Sequence, residues 1–421
     1  MWCHPPLTDI VLDTHFYKVR VLTYPISNNS PWVTSFEGNK ILTMGPDSNF
    51  PDDQGDKPGG QNFVYPIVEF DTVSATQRSL GNIDLRPVVK GGGDLRIRLL
   101  DFQYFPQLQQ RPLRAARVLI SFAASSSESG CRHSYVQEVI LDISGAGQNR
   151  LGQTWFELPC VPRISFPDGV TTSAVLNQSG GRLSLVPSSD WERNKTPEVF
   201  FSTGDFQVLA THSKILPRGA TRLLGSVLKI SKTGKVTVVA SGLRNPQGLG
   251  AAYLDGAAAL LATSHGPRGG DTLNLVQQGQ DYGWPRENYG TAYGPGGPPV
   301  HNPKVEGALK SSTAPAFAWV PSIGPASVIQ VQGPSFGMWW GRSKTRFDGD
   351  LLLSGMASKS LHRVRWQSGA VRYVETIPVG ERVRSLTQMS SGTVVAGTDS
   401  GRILLLSPIS AWSTTAHWFV P

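Results

Sequence analysis

The chain has 421 residues with 45 glycines, 31 prolines, 17% charged residues and a formal net charge of +8. That length buries a large core, while a charged share well below the ~25% of ordinary soluble chains excludes a protein built from long charged helix faces. No apolar run approaches the ~20 residues of a membrane-spanning helix, and no dense Lys/Arg tract with interleaved aromatics marks a nucleic-acid surface.

The opening residues, Met1 to Pro6, lack the basic and apolar regions of a signal peptide. Strand-like apolar runs then recur at Lys40–Met44, Val64–Phe70, Arg117–Ala123, Tyr135–Ile143, Arg182–Val186 and Val199–Thr203. They continue at Ser226–Ile230, Val236–Ala240, Ala259–Thr263, Asp350–Ser354, Leu361–Trp366, Thr393–Gly397 and Arg402–Ser407. Turn signals separate them, which is the pattern of a sandwich, barrel or propeller. Two late units share a form: a Gly-led apolar strand, a short gap, and a second strand carrying Arg363 or Arg402. Successive propeller blades read this way. Asp47–Gln61 and Tyr289–Pro303 read as long loops, Arg342–Arg346 as a solvated basic loop, and no linker divides residues 1–421. Of the three cysteines none forms a CxxC pair; Cys131 and Cys160 either bridge in an oxidising compartment or remain two thiols.

Four motifs carry chemistry. In Asn177–Leu183, a Gly-Gly-Arg turn follows Gln178. Arg244-Asn245-Pro246 joins a guanidinium, able to hold a carboxylate, to an amide that satisfies a neighbouring carbonyl; alone, it reads as a surface turn. In His265-Gly266-Pro267, the backbone carbonyls are free of obstruction and turn readily toward a hard cation, and His265 otherwise reads as a loop-bonded imidazole. Arg382 and Arg384 lie two apart, so in a strand both guanidinium groups face one side and converge on one anion.

Together with Leu224–Ile230, the turn Tyr282–Pro285 and the last-blade run Ser391–Asp399, these motifs resemble the soluble quinoprotein glucose dehydrogenases and the aldose sugar and sorbosone dehydrogenases. The resemblance is strongest over 224–407 and weak over 15–176. It implies an all-β, six-bladed β-propeller with four-stranded blades. It also implies a pyrroloquinoline quinone (PQQ)- and calcium-dependent oxidation of an aldose or related alcohol at the anomeric carbon, by hydride transfer to the quinone. Arg244, Asn245, His265, Arg382 and Arg384 would contact the quinone, and the Gly266 and Pro267 carbonyls would hold the calcium. Gln332 falls near the place of a quinone-facing lysine. An exported, periplasmic or secreted protein is implied, with the cytoplasm left open by the first residues. The electron acceptor is not named by any motif.

The departures matter as much. Gln178 stands where the resemblance places the general-base histidine, and an amide does not accept a proton at useful pH. Asn177 replaces a carboxylate and Thr272 a glutamate. His265 or a water would then take the proton. The alternative is a propeller that binds a cofactor, glycan or protein without turnover.

Overall fold

The computed structural model describes residues 2–3, 6–14, 18–27, 32–45, 63–91, 95–106, 115–144, 147–162, 176–185, 198–209, 218–291, 312–332 and 349–408. Asp47–Gln61, Arg342–Arg346 and most of Tyr289–Pro303 lie outside them. The described residues form six antiparallel sheets, the blades of a β-propeller. Blade 1 runs Trp32–Ser35, Lys40–Met44, Val64–Asp71 and Thr76–Asp84, with Trp2–Cys3 added outside. Blade 2 runs Leu95–Tyr104, Ala116–Ser126, Cys131–Leu141 and Arg150–Glu157. Blade 3 comprises Gly180–Ser184, Glu198–Thr203, Ser226–Ser231 and Val236–Ala240. Blade 4 comprises Asn245–Leu254, Ala257–His265, Asp271–Val276 and Phe317–Trp319, and blade 5 Pro325–Gln330, Leu351–Gly355, Ser360–Gln367 and Ala370–Pro378.

Blade 6 closes the ring. Its own strands, Val383–Gln388, Val394–Thr398 and Arg402–Pro408, pair outward with Lys18–Pro25 and Thr8–Asp13 from the other end of the chain. Leu404 stands opposite Thr23 and Leu405 opposite Leu22. This joint leaves no long central edge open to another chain.

The first strand of every blade lines the axis, each packed on the first strands of the two neighbouring blades. Sheet faces are apolar because each blade is covered by the next: Phe156 of blade 2 meets Phe201 of blade 3 with ring centroids 5.4 Å apart. At the periphery, the Asp255 carboxylate at a blade 4 turn accepts the Trp366 indole N–H at 2.8 Å and the Ser368 and Gly369 amides of blade 5. Cys131 and Cys160 form a disulfide in blade 2, which decides between the two sequence alternatives.

The sequence-predicted strands are nearly all outer or middle strands. One axial strand, Asn245–Leu254, is not among them, because its glycines look like turn signals. The cause is crowding: a Cβ on Gly250 would lie 2.2 Å from the Val328 carbonyl oxygen of the next blade. Only glycine lets the two axial strands approach so closely.

Candidate functional site

The axial strands all present their N-terminal ends to one face, and the predicted site residues other than Gln332 gather there. Asn245 begins the axial strand of blade 4 and lies opposite His265 in register. Its side-chain oxygen accepts the Gly180 amide of blade 3 at 3.1 Å, holding the turn that carries Gln178. Gln178 adopts a left-handed φ of 57°, and its backbone carbonyl accepts the Phe206 amide at 3.0 Å. Its side-chain oxygen is buried without a hydrogen-bond partner among the described residues. This position therefore supplies neither a base nor a satisfied amide.

Arg182, in the axial strand of blade 3 that follows the Gln178 turn, fills the axis. Its Nε donates to the Gln247 carbonyl at 2.5 Å and its Nη2 to the Arg384 carbonyl at 2.6 Å. The guanidinium lies 4.3 Å from the centroid of the Trp32 ring and 3.5 Å from the buried Asp101 carboxylate. Burial lowers its pKa to about 10, so it stays charged at neutral pH. One side chain thus ties five blades together. Its sequence signal, a Gly-Gly-Arg turn, points only to a motif.

Arg382 and Arg384 do converge on one anion, and the protein supplies it. Arg384 Nε and Nη2 donate to Asp399 at 2.5 and 2.9 Å, and Arg382 Nε at 3.1 Å. Burial pushes the Asp399 carboxyl up, but Arg384 and then Arg382 outweigh it and hold it below the usual range. Arg384 is spent on this pair, whereas Arg382 is exposed and faces a cavity.

That cavity, about 720 Å³, is lined among others by His265, Arg268, Tyr289, Ser322, Met356 and Arg382. Its size suits a small-molecule ligand. The His265 Nε2 lies 2.7 Å from the Pro325 carbonyl. A carbonyl only accepts, so Nε2 carries the hydrogen and Nδ1 keeps its lone pair. Burial lowers the His265 pKa, and Arg244 and Arg384 add to this against the opposing pull of Asp271 and Pro325. The ring is neutral at physiological pH.

The loop that follows closes on itself. Arg244 Nη1 donates to the Gly266 carbonyl at 2.8 Å, and the Pro267 carbonyl accepts the Gly270 amide at 3.0 Å. One Asp271 oxygen accepts the Gly266 amide at 3.1 Å; the other accepts those of Ile323 and Gly324 at 2.8 and 2.7 Å. Among the described residues no group of three or more His, Cys, Asp or Glu side chains is placed to hold a metal ion.

Sequence reasoning missed the floor of the site. Asp205 is fully buried, accepting the Trp284 indole N–H at 2.8 Å and the Gln207 amide at 2.9 Å. Burial raises its pKa to about 6, with Arg244 and Arg132 pulling the other way. The Arg244 guanidinium lies 5.4 Å from the centroid of the Trp284 ring, which ties the motif arginine to this floor. Arg268, within the loop that follows His265, and Tyr289, at the start of a long loop, also line the cavity, though the sequence assigned neither a role. Gln332 is not brought to the site: it is exposed beyond the far end of the blade 5 axial strand, bonded to Gln388 and Gln330.

The sequence model of the Glucose / Sorbosone dehydrogenase family matches residues 174–405, more than half of the chain. An uncharacterized protein of Synechocystis is 31% identical over 203 residues, covering 44% of this chain and 45% of that protein. The aldose sugar dehydrogenase YliI of Escherichia coli is 29% identical over 172 residues, covering 40% and 43%. These matches span less than half the length of either relative. Among solved structures, a glucose dehydrogenase superposes with a TM-score of 0.63 at 21% identity, covering 91% of this chain and 98% of the other. The PQQ-bound aldose sugar dehydrogenase of Streptomyces coelicolor gives 0.58 at 18% identity, covering 96% and 100%. At such identities the structures establish the fold alone; it is the sequence match, running from the Gln178 turn through Arg384, that shows the chain to belong to the glucose/sorbosone dehydrogenase family.

Proposed function

We propose that this propeller is an aldose-type sugar dehydrogenase in which His265, not the side chain at position 178, takes the proton of the sugar hydroxyl. The observation that carries this is the His265 tautomer. With Nε2–H committed to the Pro325 carbonyl at 2.7 Å, Nδ1 is the acceptor of a neutral ring on the cavity wall. A general base must be unprotonated at working pH, and the lowered His265 pKa meets that condition.

The cavity chemistry suits PQQ, two of whose three carboxylates would pair with the guanidinium groups of Arg268 and Arg382 on its wall. Bound there, the quinone would supply the hydride acceptor that a protein side chain lacks. Arg382 is oriented by Asp399, and Arg384 acts through the same carboxylate rather than on the ligand. Tyr289 and Ser322 offer hydroxyl groups for orienting a polyol. The Cys131–Cys160 bridge supports an oxidising compartment, in keeping with an exported protein.

Titration with PQQ, followed by aldoses while the quinone absorbance is recorded, tests this reading. Saturable binding with sugar-dependent reduction is expected, rising with pH as His265 deprotonates, and His265→Gln should slow reduction by about 10²–10⁴ while binding persists. Binding without reduction across a broad aldose panel would favour a second reading. The observation behind it is Gln178, whose amide in the base position suits a propeller that retains the ligand without turning it over.

A further inference from the structure

We propose that Arg244 is a resident cation standing where the loop His265–Asp271 would otherwise bind a hard divalent metal, so that the cavity takes its anionic ligand without calcium. The identity of the ligand rests on the reading above; the metal-independence of the loop does not.

A calcium ion needs six to eight oxygen ligands with open lone pairs. The three groups of this loop that would serve a metal, the Gly266 and Pro267 carbonyls and the Asp271 carboxylate, each already accept from a protein donor. The Gly266 carbonyl receives Arg244 Nη1 at 2.8 Å, which puts a full positive charge on the oxygen a metal would need. The Pro267 carbonyl receives the Gly270 amide, and the backbone of Gly290 covers it closely: a Cβ there would lie 2.9 Å from that oxygen. Asp271, the carboxylate of the loop, spends both oxygens on three backbone amides. It staples the loop to the start of blade 5 rather than facing outward.

Arg244 is not free to swing away. Its guanidinium lies 5.4 Å from the centroid of the Trp284 ring, whose indole N–H is itself held by the buried Asp205 carboxylate at 2.8 Å. The arginine is therefore held in place from below while its Nη1 faces the loop carbonyl. A metal at the same oxygen would meet a guanidinium that has no better place to go. In this chain the positive charge that stabilises the loop and attracts an anion is built in. The anion still finds Arg268 and Arg382 on the cavity wall.

The test uses calcium alone. Chelator-treated wild type should show no saturable heat on calcium titration into the millimolar range and no change in thermal midpoint. Arg244→Ala should acquire a calcium-dependent rise in midpoint, because the Gly266 carbonyl is then released. Micromolar calcium binding by the wild type would overturn the proposal. So would an Arg244→Ala protein as indifferent to calcium as its parent, since another feature would then be excluding the metal. If that variant does not fold, PQQ titration of the wild type with calcium or with EGTA decides: equal affinity supports the proposal, and a loss of tenfold or more in EGTA overturns it. Absence of PQQ binding in both conditions would refute the cofactor reading while leaving the calcium result to stand by itself.

Discussion

Asp205 is buried beneath the site, and replacing it by asparagine gives a measurable test of how the floor is balanced. In the folded protein its carboxyl is raised to about 6 from an ordinary 3.8. Between those values the folded state holds the proton more tightly than the unfolded chain does. Stability contributed by this group therefore grows as pH falls from about 6 toward 4, and at neutral pH the ionised carboxylate costs the fold about 3 kcal/mol. Asparagine has no proton to exchange. Its amide would also direct a donor at either the Trp284 indole or the Gln207 amide, a penalty of about 1–3 kcal/mol that does not change with pH. Urea unfolding of both proteins, followed by tryptophan fluorescence from about pH 7 to about pH 4, isolates the titrating part as a difference. Wild type should gain about 2.4 kcal/mol relative to Asp205→Asn across that range. A difference that stays constant within about 1 kcal/mol would mean that Arg244 and Arg132 offset the burial fully, and the reasoning would fail.

Three further outcomes are expected. His265→Gln should lower sugar-dependent quinone reduction by about 10²–10⁴ without weakening quinone binding, and adding Gln178→His should restore part of it; stopped-flow reduction of the single and double variants measures both. Replacing Cys131 and Cys160 by serine releases a loop spanned by a sequence separation of 29, and should cost about 3–4 kcal/mol in chemical unfolding, with reductant giving the same loss in the parent. Gly250→Ala should destabilise by about 1–3 kcal/mol or more, because its Cβ meets a backbone oxygen that no rotamer change can move; an unchanged thermal midpoint would contradict the close approach of blades 4 and 5.

Much of the fold was legible in the sequence. Apolar runs such as Lys40–Met44 and Val236–Ala240 coincide with observed strands, because middle and outer strands carry their burial in local composition. The axial strand of blade 4 was not legible by the same rule. Asn245–Leu254 contains Asn245, Pro246, Gly248 and Gly250, which in isolation mark a turn. They are there because six strands crowd one axis and leave room for little else. The same crowding explains Arg182: a lone arginine after two glycines says nothing about five blades meeting on it.

By itself, the sequence determined the all-β character and the loop motifs, since these depend on residue type and spacing alone. Which charges face a ligand and which face each other was decided only by tertiary structure. Asp399 follows Arg384 by fifteen residues and meets it across a strand pair, while Arg244 reaches the Gly266 carbonyl across a hairpin. Local sequence carries no information on such pairings. A guanidinium takes whichever oxygen the folded chain brings within reach, and here the chain offers its own.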